Sequence, residues 1–481
     1  MIKTELKKTE SVSKTNLGRE DTFRDRMATI DESGKRIWIY PRKPKGQFHR
    51  YRTILATLLI AIFYSGPFIN IGGHPLLLLN VFQREFVIFG QPFYPQDFFL
   101  FVLAMIASFV FILLFTVVYG RLWCGWACPQ TVFMEMVFRK IEYLIEGNAP
   151  SQKSLNKRPM DLDKFVRKIL KHSIFFLIAF SVGNTFMAYM VGKEQLFKAV
   201  TGTPAENPVA FTSIVLFSLL FYSIFARFRE QACTLVCPYG RLQGALLDKN
   251  SIVVTYDWVR GEPRMPVKKA EKHDNPGDCI NCFSCVKTCP TGIDIHNGTQ
   301  LECINCTACM DACDAIMDSV KRPRELIRYA SFNSIEKGEK IKVDIRMIGY
   351  SIVLIALVGI LTFLLATRSD IETTILRTPG MLYHTMDNGE IRNLYNFKII
   401  NKTYDNISVD FEIESPEGGK IEMVGSSLDI EPRKVFEGAC FIIMSPDQLT
   451  KVKTPIRIKI LSGDRELETV RTSFMGPVSK Q

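Results

Sequence analysis

Twelve of the thirteen cysteines in this 481-residue chain fall in tight groups, and only Cys440 stands alone. One block reads Cys279-x2-Cys282-x2-Cys285-x3-Cys289-Pro290 and then Cys303-x2-Cys306-x2-Cys309-x3-Cys313. Two consecutive runs of this spacing are the signature of a bacterial-type ferredoxin with two 4Fe–4S clusters, in which the fourth cysteine of each run ligates the cluster held by the other. The expected ligand sets are Cys279, Cys282, Cys285 and Cys313 for one cluster and Cys303, Cys306, Cys309 and Cys289 for the other. The two-residue spacers let three thiolates of one tight loop reach three corners of a cube, and Pro290 keeps helix from running through the fourth ligand. The second run ends Cys313-Asp314, which keeps the ligand and removes that stop. Paired Cys-x2-Cys groups also build tetrahedral zinc sites, but eight cysteines in evenly spaced, duplicated runs fit clusters better than zinc ribbons, whose knuckles usually stand farther apart. Two clusters in one such fold lie close enough to exchange electrons, so the segment reads as a short wire.

Four more cysteines form a second repeat. Trp123-Cys124-Gly125-Trp126-Ala127-Cys128-Pro129-Gln130 and Cys233-Thr234-Leu235-Val236-Cys237-Pro238-Tyr239-Gly240 each carry Cys-x3-Cys-Pro just after a long apolar stretch. In helical conformation positions i and i+4 share one face, so Cys124, Cys128, Cys233 and Cys237 are expected to turn toward a common metal position. Soft thiolates there favour Cu(I), zinc or iron–sulfur iron over hard cations, and spacing does not choose among them. Trp123, Trp126 and Tyr239 read as an interfacial aromatic belt. The six histidines are scattered, with no ligand-spaced partners. Neither a Cys-x2-Cys-His motif nor a Gly-rich dinucleotide fingerprint occurs, so covalent haem and a nicotinamide or flavin site are not expected. Electrons must then come from a separate soluble donor. Cys440 reads as a small buried apolar residue.

Membrane helices must position these thiols. A helical crossing needs ~20 apolar residues, and five segments meet that, near 53–71, 98–119, 173–192, 207–226 and 345–367. Lys and Arg alternate between the connecting segments: 14 in 1–52, one in 72–97, ten in 120–172, two in 193–206 and 17 in 227–344. The positive-inside rule then puts the basic N-terminal segment 1–52, the loop 120–172 and the ferredoxin segment 227–344 in the cytoplasm. Residues 368–481 fall outside, in the periplasm if the membrane is a bacterial inner one. The formal charge of +11 is thus a record of topology and of contact with anionic lipid rather than of nucleic-acid binding. Cytoplasmic placement also keeps the grouped cysteines reduced.

After residue 367 short alternating runs replace the long apolar ones. Strands are predicted at Leu394–Asn401, Ile407–Ile413, Lys420–Val424, Val435–Ile443, Ile456–Leu461 and Thr469–Phe474, a pattern that fits an immunoglobulin-like β-sandwich. The fold class is therefore a multi-domain membrane protein. A helical membrane domain over 53–226 and a fifth span accompany a ferredoxin-like α+β domain for two 4Fe–4S clusters and a C-terminal all-β immunoglobulin-like sandwich.

With these parts in order, the chain resembles the cytochrome c oxidase accessory protein family known as CcoG, FixG or RdxA. The likeness rests on Arg36-Ile37-Trp38-Ile39-Tyr40-Pro41, the two Cys-x3-Cys-Pro motifs, both cluster runs including Cys313-Asp314, and the closing sandwich. It implies a role in building the cbb3-type cytochrome oxidase by reducing Cu(II) to Cu(I), with copper as substrate handled near Cys124, Cys128, Cys233 and Cys237. Expected partners are a soluble electron donor, a copper transporter or chaperone and oxidase assembly factors; homo-oligomerisation is left open. Two other readings stand beside it: a membrane ferredoxin conduit that oxidises quinol or feeds another complex, and a non-enzymatic assembly factor.

Overall fold

The computed structural model describes residues 28–477 apart from 32, 73, 81–84, 89, 94–96, 206, 339–344, 381, 426–427, 450 and 464, so residues 1–27 of the expected basic segment lie outside the described residues. Five helices are long and apolar enough to cross a membrane: Gln47–Phe68, Phe98–Tyr119, Leu162–Val191, Pro208–Phe228 and Met347–Ala366. They leave Phe101, Phe109, Leu177, Leu216, Ile355 and Phe363 exposed, as lipid-facing helices do. Two begin well before the apolar runs that announce them. The first starts at Gln47 and takes in Arg50 and Arg52, and the third starts at Leu162 and takes in Asp163, Lys164 and Arg167. Charge sets where hydrocarbon begins, not where helix begins. The third helix starts where the Asp161 carboxylate accepts from the Lys164 amide at 2.8 Å, which satisfies one of the orphan donors of its first turn.

The chain divides into two compact units, one of residues up to Phe82 with Leu103–Val358 and one of Gln83–Val102 with Gly359–Gln481. In the first, the third helix packs along Pro208–Ser223. Gly183 faces the Ser218 backbone at this contact, where a Cβ would make an ordinary contact at 3.5 Å.

The ferredoxin segment is α+β. Strand Val253–Tyr256 pairs antiparallel with Ile327–Ala330, from Val253 opposite Ala330 to Tyr256 opposite Ile327. Helices Ser284–Thr288 and Ala308–Ser319 pack against each other beside it. Val254, Tyr256, Met310, Met317, Leu326 and Ile327 form its core. The expected boundary at 226/227 does not separate compact units. Where the first strand begins, Ser251 Oγ donates to the Val117 carbonyl at 2.8 Å and the Ile252 amide to that of Val118 at 3.0 Å. The carbonyls that end the second membrane helix are thereby satisfied by the ferredoxin chain.

In the second unit two antiparallel sheets enclose one core. The strand order is Lys420–Val424, Val435–Met444, Ile391–Asn401 and Ile371–Arg377 in one sheet and Asp410–Ser415, Lys453–Ser462 and Arg465–Met475 in the other. Alternating residues such as Ile399, Ile442, Ile458, Ile460 and Phe474 are fully buried between them, each worth ~1.5–3 kcal/mol of burial. Tyr395 is buried in the same core, and its hydroxyl donates to the Ser473 carbonyl at 2.9 Å. Cys440 lies in this core. The strand Ile371–Arg377 is absent from the expected set, because Ile371-Glu372-Thr373-Thr374-Ile375 follows so closely on the fifth span that its alternation merges with the end of the apolar run.

Candidate functional site

The duplicated cysteine runs fold into duplicated loops. In Cys279-Ile280-Asn281-Cys282-Phe283 the residues Asn281 and Phe283 take positive φ of 56° and 55°, and in Cys303-Ile304-Asn305-Cys306-Thr307 the residues Asn305 and Thr307 take 52° and 62°. Asn tolerates this left-handed region; Phe and β-branched Thr do not adopt it without compensation. Backbone that alternates hands in this way turns successive amides inward and makes an anion-binding nest, suited to a sulfide-bearing cluster. The first helix after each loop carries the third cysteine, and Cys289 ends the first helix with extended backbone, as the following proline requires. The second helix runs on through Cys313 to Ser319, since Asp314 stands where a proline would have stopped it.

Two cavities result. One of about 330 Å³ is lined by Cys279, Cys282, Cys285 and Cys313, together with Tyr256 and His296. The other, of about 360 Å³, is lined by Cys289, Cys303, Cys306 and Cys309, with Pro290 and Thr291. Each cavity thus collects one expected ligand set, three thiols from one run and the last from the other, and the residues present fit a 4Fe–4S cluster in each. Cys285 lines the wall of both. Burial pushes the Cys303 and Cys306 thiols up to about 12 and about 11, and Cys289 and Cys309 also rise. These sulfurs hold their protons until metal displaces them, so cluster loading releases protons.

The four remaining grouped cysteines meet beside the second cavity. Cys124 lies in the short helix Leu122–Trp126, and Cys128 is the extended N-cap of a helix that opens on Pro129. Cys233 lies in the π-turn Ala232–Val236, and Cys237 caps the helix that opens on Pro238. The expected single helical face is therefore not formed. Proline as first helical residue ends the preceding turn, and each motif bends between its two sulfurs. The four thiols still come near enough to oppose one another's ionisation. Burial, then the neighbouring sulfurs, pushes Cys233 up to about 12; Cys124 rises to about 11 through burial, with Arg121 opposing. Among the described residues no three His, Cys, Asp or Glu side chains form a group that would hold a single metal ion.

Cys124 is buried in one apolar cluster with Ile304, Cys306 and Ala308, and Tyr239 packs on it. The contact is tight: a Cβ at Gly125 would lie 2.4 Å from the Ile304 carbonyl oxygen and 2.9 Å from that of Asn305. Trp126 Nε1 donates to the Tyr329 hydroxyl at 3.0 Å, and that hydroxyl donates to the Asn305 carbonyl at 3.2 Å. Of the three residues read as an aromatic belt, Trp126 and Tyr239 instead hold the cluster loop, while Trp123 is half exposed. Aromatic residues at a membrane edge have the same composition whether they face lipid or a docked domain.

Sequence reasoning passed over the polar residues that order this site. Gln243 is completely buried, and its Oε1 accepts from Cys124 Sγ at 3.0 Å and Arg121 Nε at 3.3 Å. Arg121 also donates to the Leu301 carbonyl, and Arg52 of the first membrane helix donates to that of Gly125 at 3.0 Å. Arg121 and Gln243 flank the two motifs, yet neither is a common ligand for soft metals, so only position could have drawn notice. Below the thiols, Arg229 pairs with Glu142 through two hydrogen bonds of 2.7 and 2.8 Å, both side chains buried. Gln130 donates to the Arg229 carbonyl at 3.2 Å and ties one motif to the other.

An apolar helical body that presents eight cluster thiols and four edge thiols in one connected unit defines a membrane-bound iron–sulfur redox protein. Comparison with known proteins agrees. Residues 228–332 match the family profile of a 4Fe-4S dicluster domain, 101–148 that of a 4Fe-4S binding domain, and 361–477 that of the IG-like fold at the C-terminus of FixG. The chain is 32% identical over 458 residues to the nitrogen fixation protein FixG of Rhizobium meliloti, covering 87% of this chain and 86% of that protein. It is 32% identical over 445 residues to RdxA of Cereibacter sphaeroides (88% and 93% covered) and 33% over 387 residues to RdxB of the same organism (76% and 80%). The chain belongs to the FixG and RdxA family.

Proposed function

We propose that this protein carries electrons through its two cluster sites to the edge thiols and there reduces Cu(II) to Cu(I), in support of the assembly of a cbb3-type cytochrome oxidase. The observation that carries the reading is the burial of Cys124 against Cys306, a ligand of the second cluster site, with no side chain at Gly125 to hold them apart. Bound 4Fe–4S clusters supply one-electron carriers, with potentials on the order of −400 mV in ferredoxins. The duplicated loops hold them, and helices Ser284–Thr288 and Ala308–Ser319 fix their separation. Cys124, Cys128, Cys233 and Cys237 would capture copper as thiolates, giving up their protons as it binds. Each Cu(II) takes one electron and leaves as Cu(I), for which thiolates are the favoured ligands. A pair of the four suffices for a cuprous ion. In this reading the N-terminal segment and the cluster sites face the cytoplasm, where a soluble donor supplies electrons, and the sandwich faces the periplasm. A copper transporter or chaperone receives the product.

Anaerobic protein reduced with dithionite and mixed with Cu(II) tests the reading. One Cu(I) should form for each electron lost, and Cys124→Ser/Cys237→Ser protein with full cluster content should react at least tenfold more slowly. Full-rate reduction without those thiols would sink it. A second reading is supported by the 4Fe-4S binding domain profile over 101–148, which contains Cys124 and Cys128: the four thiols hold a further iron–sulfur centre and the chain is a conduit. Iron well above the eight atoms of two cubes, without copper, would favour it.

A further inference from the structure

The two cluster cavities differ in one respect that the duplicated sequence hides. In the first, His296 is buried, with Nε2 at 3.7 Å from Cys279 Sγ and 3.8 Å from Cys285 Sγ. Its Nδ1 lies 2.6 Å from the Asp294 carboxylate, which also accepts from the His296 amide at 3.0 Å. Tyr256 stands edge-on to the ring, with centroids 4.8 Å apart, so the imidazole is held in one orientation. Among the described residues the walls of the second cavity carry no imidazole; the Thr291 hydroxyl lies 3.3 Å from Cys289 Sγ.

Sulfurs bound to iron have no hydrogen to give and can only accept. The nitrogen facing Cys279 and Cys285 is therefore useful to them as a donor, while Asp294 accepts from the other. A donor to ligand sulfur stabilises the more negative, reduced state of a cluster, and hydrogen bonds to the sulfurs are among the determinants of its potential. We infer that His296, positioned by Asp294, donates to the Cys279 and Cys285 sulfurs and makes the first cluster site the more easily reduced of the two. This inference rests only on the cluster assignment and holds whether the edge thiols take copper or iron. The first electron accepted from a soluble one-electron donor then resides at the Cys279 site, and the second reaches the site beside Cys124.

Redox titration of the full chain in detergent, followed by electron paramagnetic resonance with iron counted per chain, tests this. In His296→Phe one of two midpoint potentials should fall by at least tenfold in the reduction equilibrium, 59 mV for one electron, with the other potential and the iron unchanged. His296→Gln, which keeps a donor, should recover part of the shift, and Asp294→Asn should move the same cluster in the same direction. Potentials that stay put, or that move together, would overturn the assignment. If His296→Phe loses iron, Asp294→Asn decides alone: an unmoved pair of potentials there refutes the role.

Discussion

The Asp311 carboxylate lies 2.7 Å from the backbone nitrogen of His49 and accepts from it, and its other oxygen accepts from the Phe48 amide at 3.1 Å. The first turn of a membrane helix is thereby capped from the helix that carries Cys309 and Cys313. Gly46 makes room, since a Cβ there would lie 2.3 Å from the Asp311 carboxyl carbon. Asp311→Ala leaves both amides orphaned and should cost about 0.5–2 kcal/mol, read as a lower melting temperature in detergent with cluster iron unchanged. An unchanged melt would mean that water replaces the carboxylate freely.

Gly125→Ala should separate the two halves of the site. The added methyl group meets backbone atoms of Ile304 and Asn305 that cannot rotate away, an overpacking that typically costs ~1–3 kcal/mol. Both clusters should still load, and electron delivery from them to added Cu(II) should slow at least tenfold, because the loop that holds Cys306 must retreat from Cys124. Stopped-flow absorbance of dithionite-reduced protein measures this directly.

Cys279→Ser and Cys303→Ser should each remove one cluster and spare the other. Iron should fall from about eight to about four atoms per chain in each variant, with a different paramagnetic signal surviving. Loss of the same signal from both would contradict the two separate ligand sets that the cavities suggest.

The Arg229–Glu142 pair has a pH signature. Burial raises the Glu142 carboxyl, but Arg229, Arg139 and Lys171 outweigh it and leave it below the usual 4.5. Its contribution to stability is therefore complete above about pH 4.5 and is lost only as pH falls through the depressed value. Arg229→Leu removes the strongest cation holding the carboxyl down, and breaking a buried pair costs about 3–5 kcal/mol. Burial is then opposed only by Arg139 and Lys171, so the carboxyl should rise. Stability of the variant should be greatest in acid and decline as pH rises through that raised value, whereas the parent shows no such decline from this pair between pH 5 and 8. Melting curves of both proteins across that range decide it.

Spacing made much of this molecule readable in advance. Ligand spacing is a property of a tight loop, so Cys279 to Cys313 could be assigned to two sets before any fold was known, and hydrocarbon thickness makes apolar length a direct sign of a membrane helix. What escaped notice depends on distance in space. Gln243 meets Cys124 across 119 residues of chain, and Trp126 meets Tyr329 across 203, so no local pattern announces either pair. The bend in each Cys-x3-Cys-Pro motif is local, because the proline after the second cysteine starts a new helix and breaks the i, i+4 face. His296 escaped for a different reason. Its partners are cysteines already assigned to another task, and a lone histidine has no spacing to betray it.

Helix Ala308–Ser319 has a mechanical consequence. Cys309 lines one cavity and Cys313 the other, and four residues of helix advance ~6 Å along its axis. A proline at 314 would have broken the rod just past the second ligand; Asp314 lets it continue for another turn. The helix therefore works as a ruler between two redox centres. Bending or thinning of the bilayer that holds the membrane helices can tilt the ruler but not lengthen it, and so the spacing across which an electron must hop stays fixed while the lipid changes.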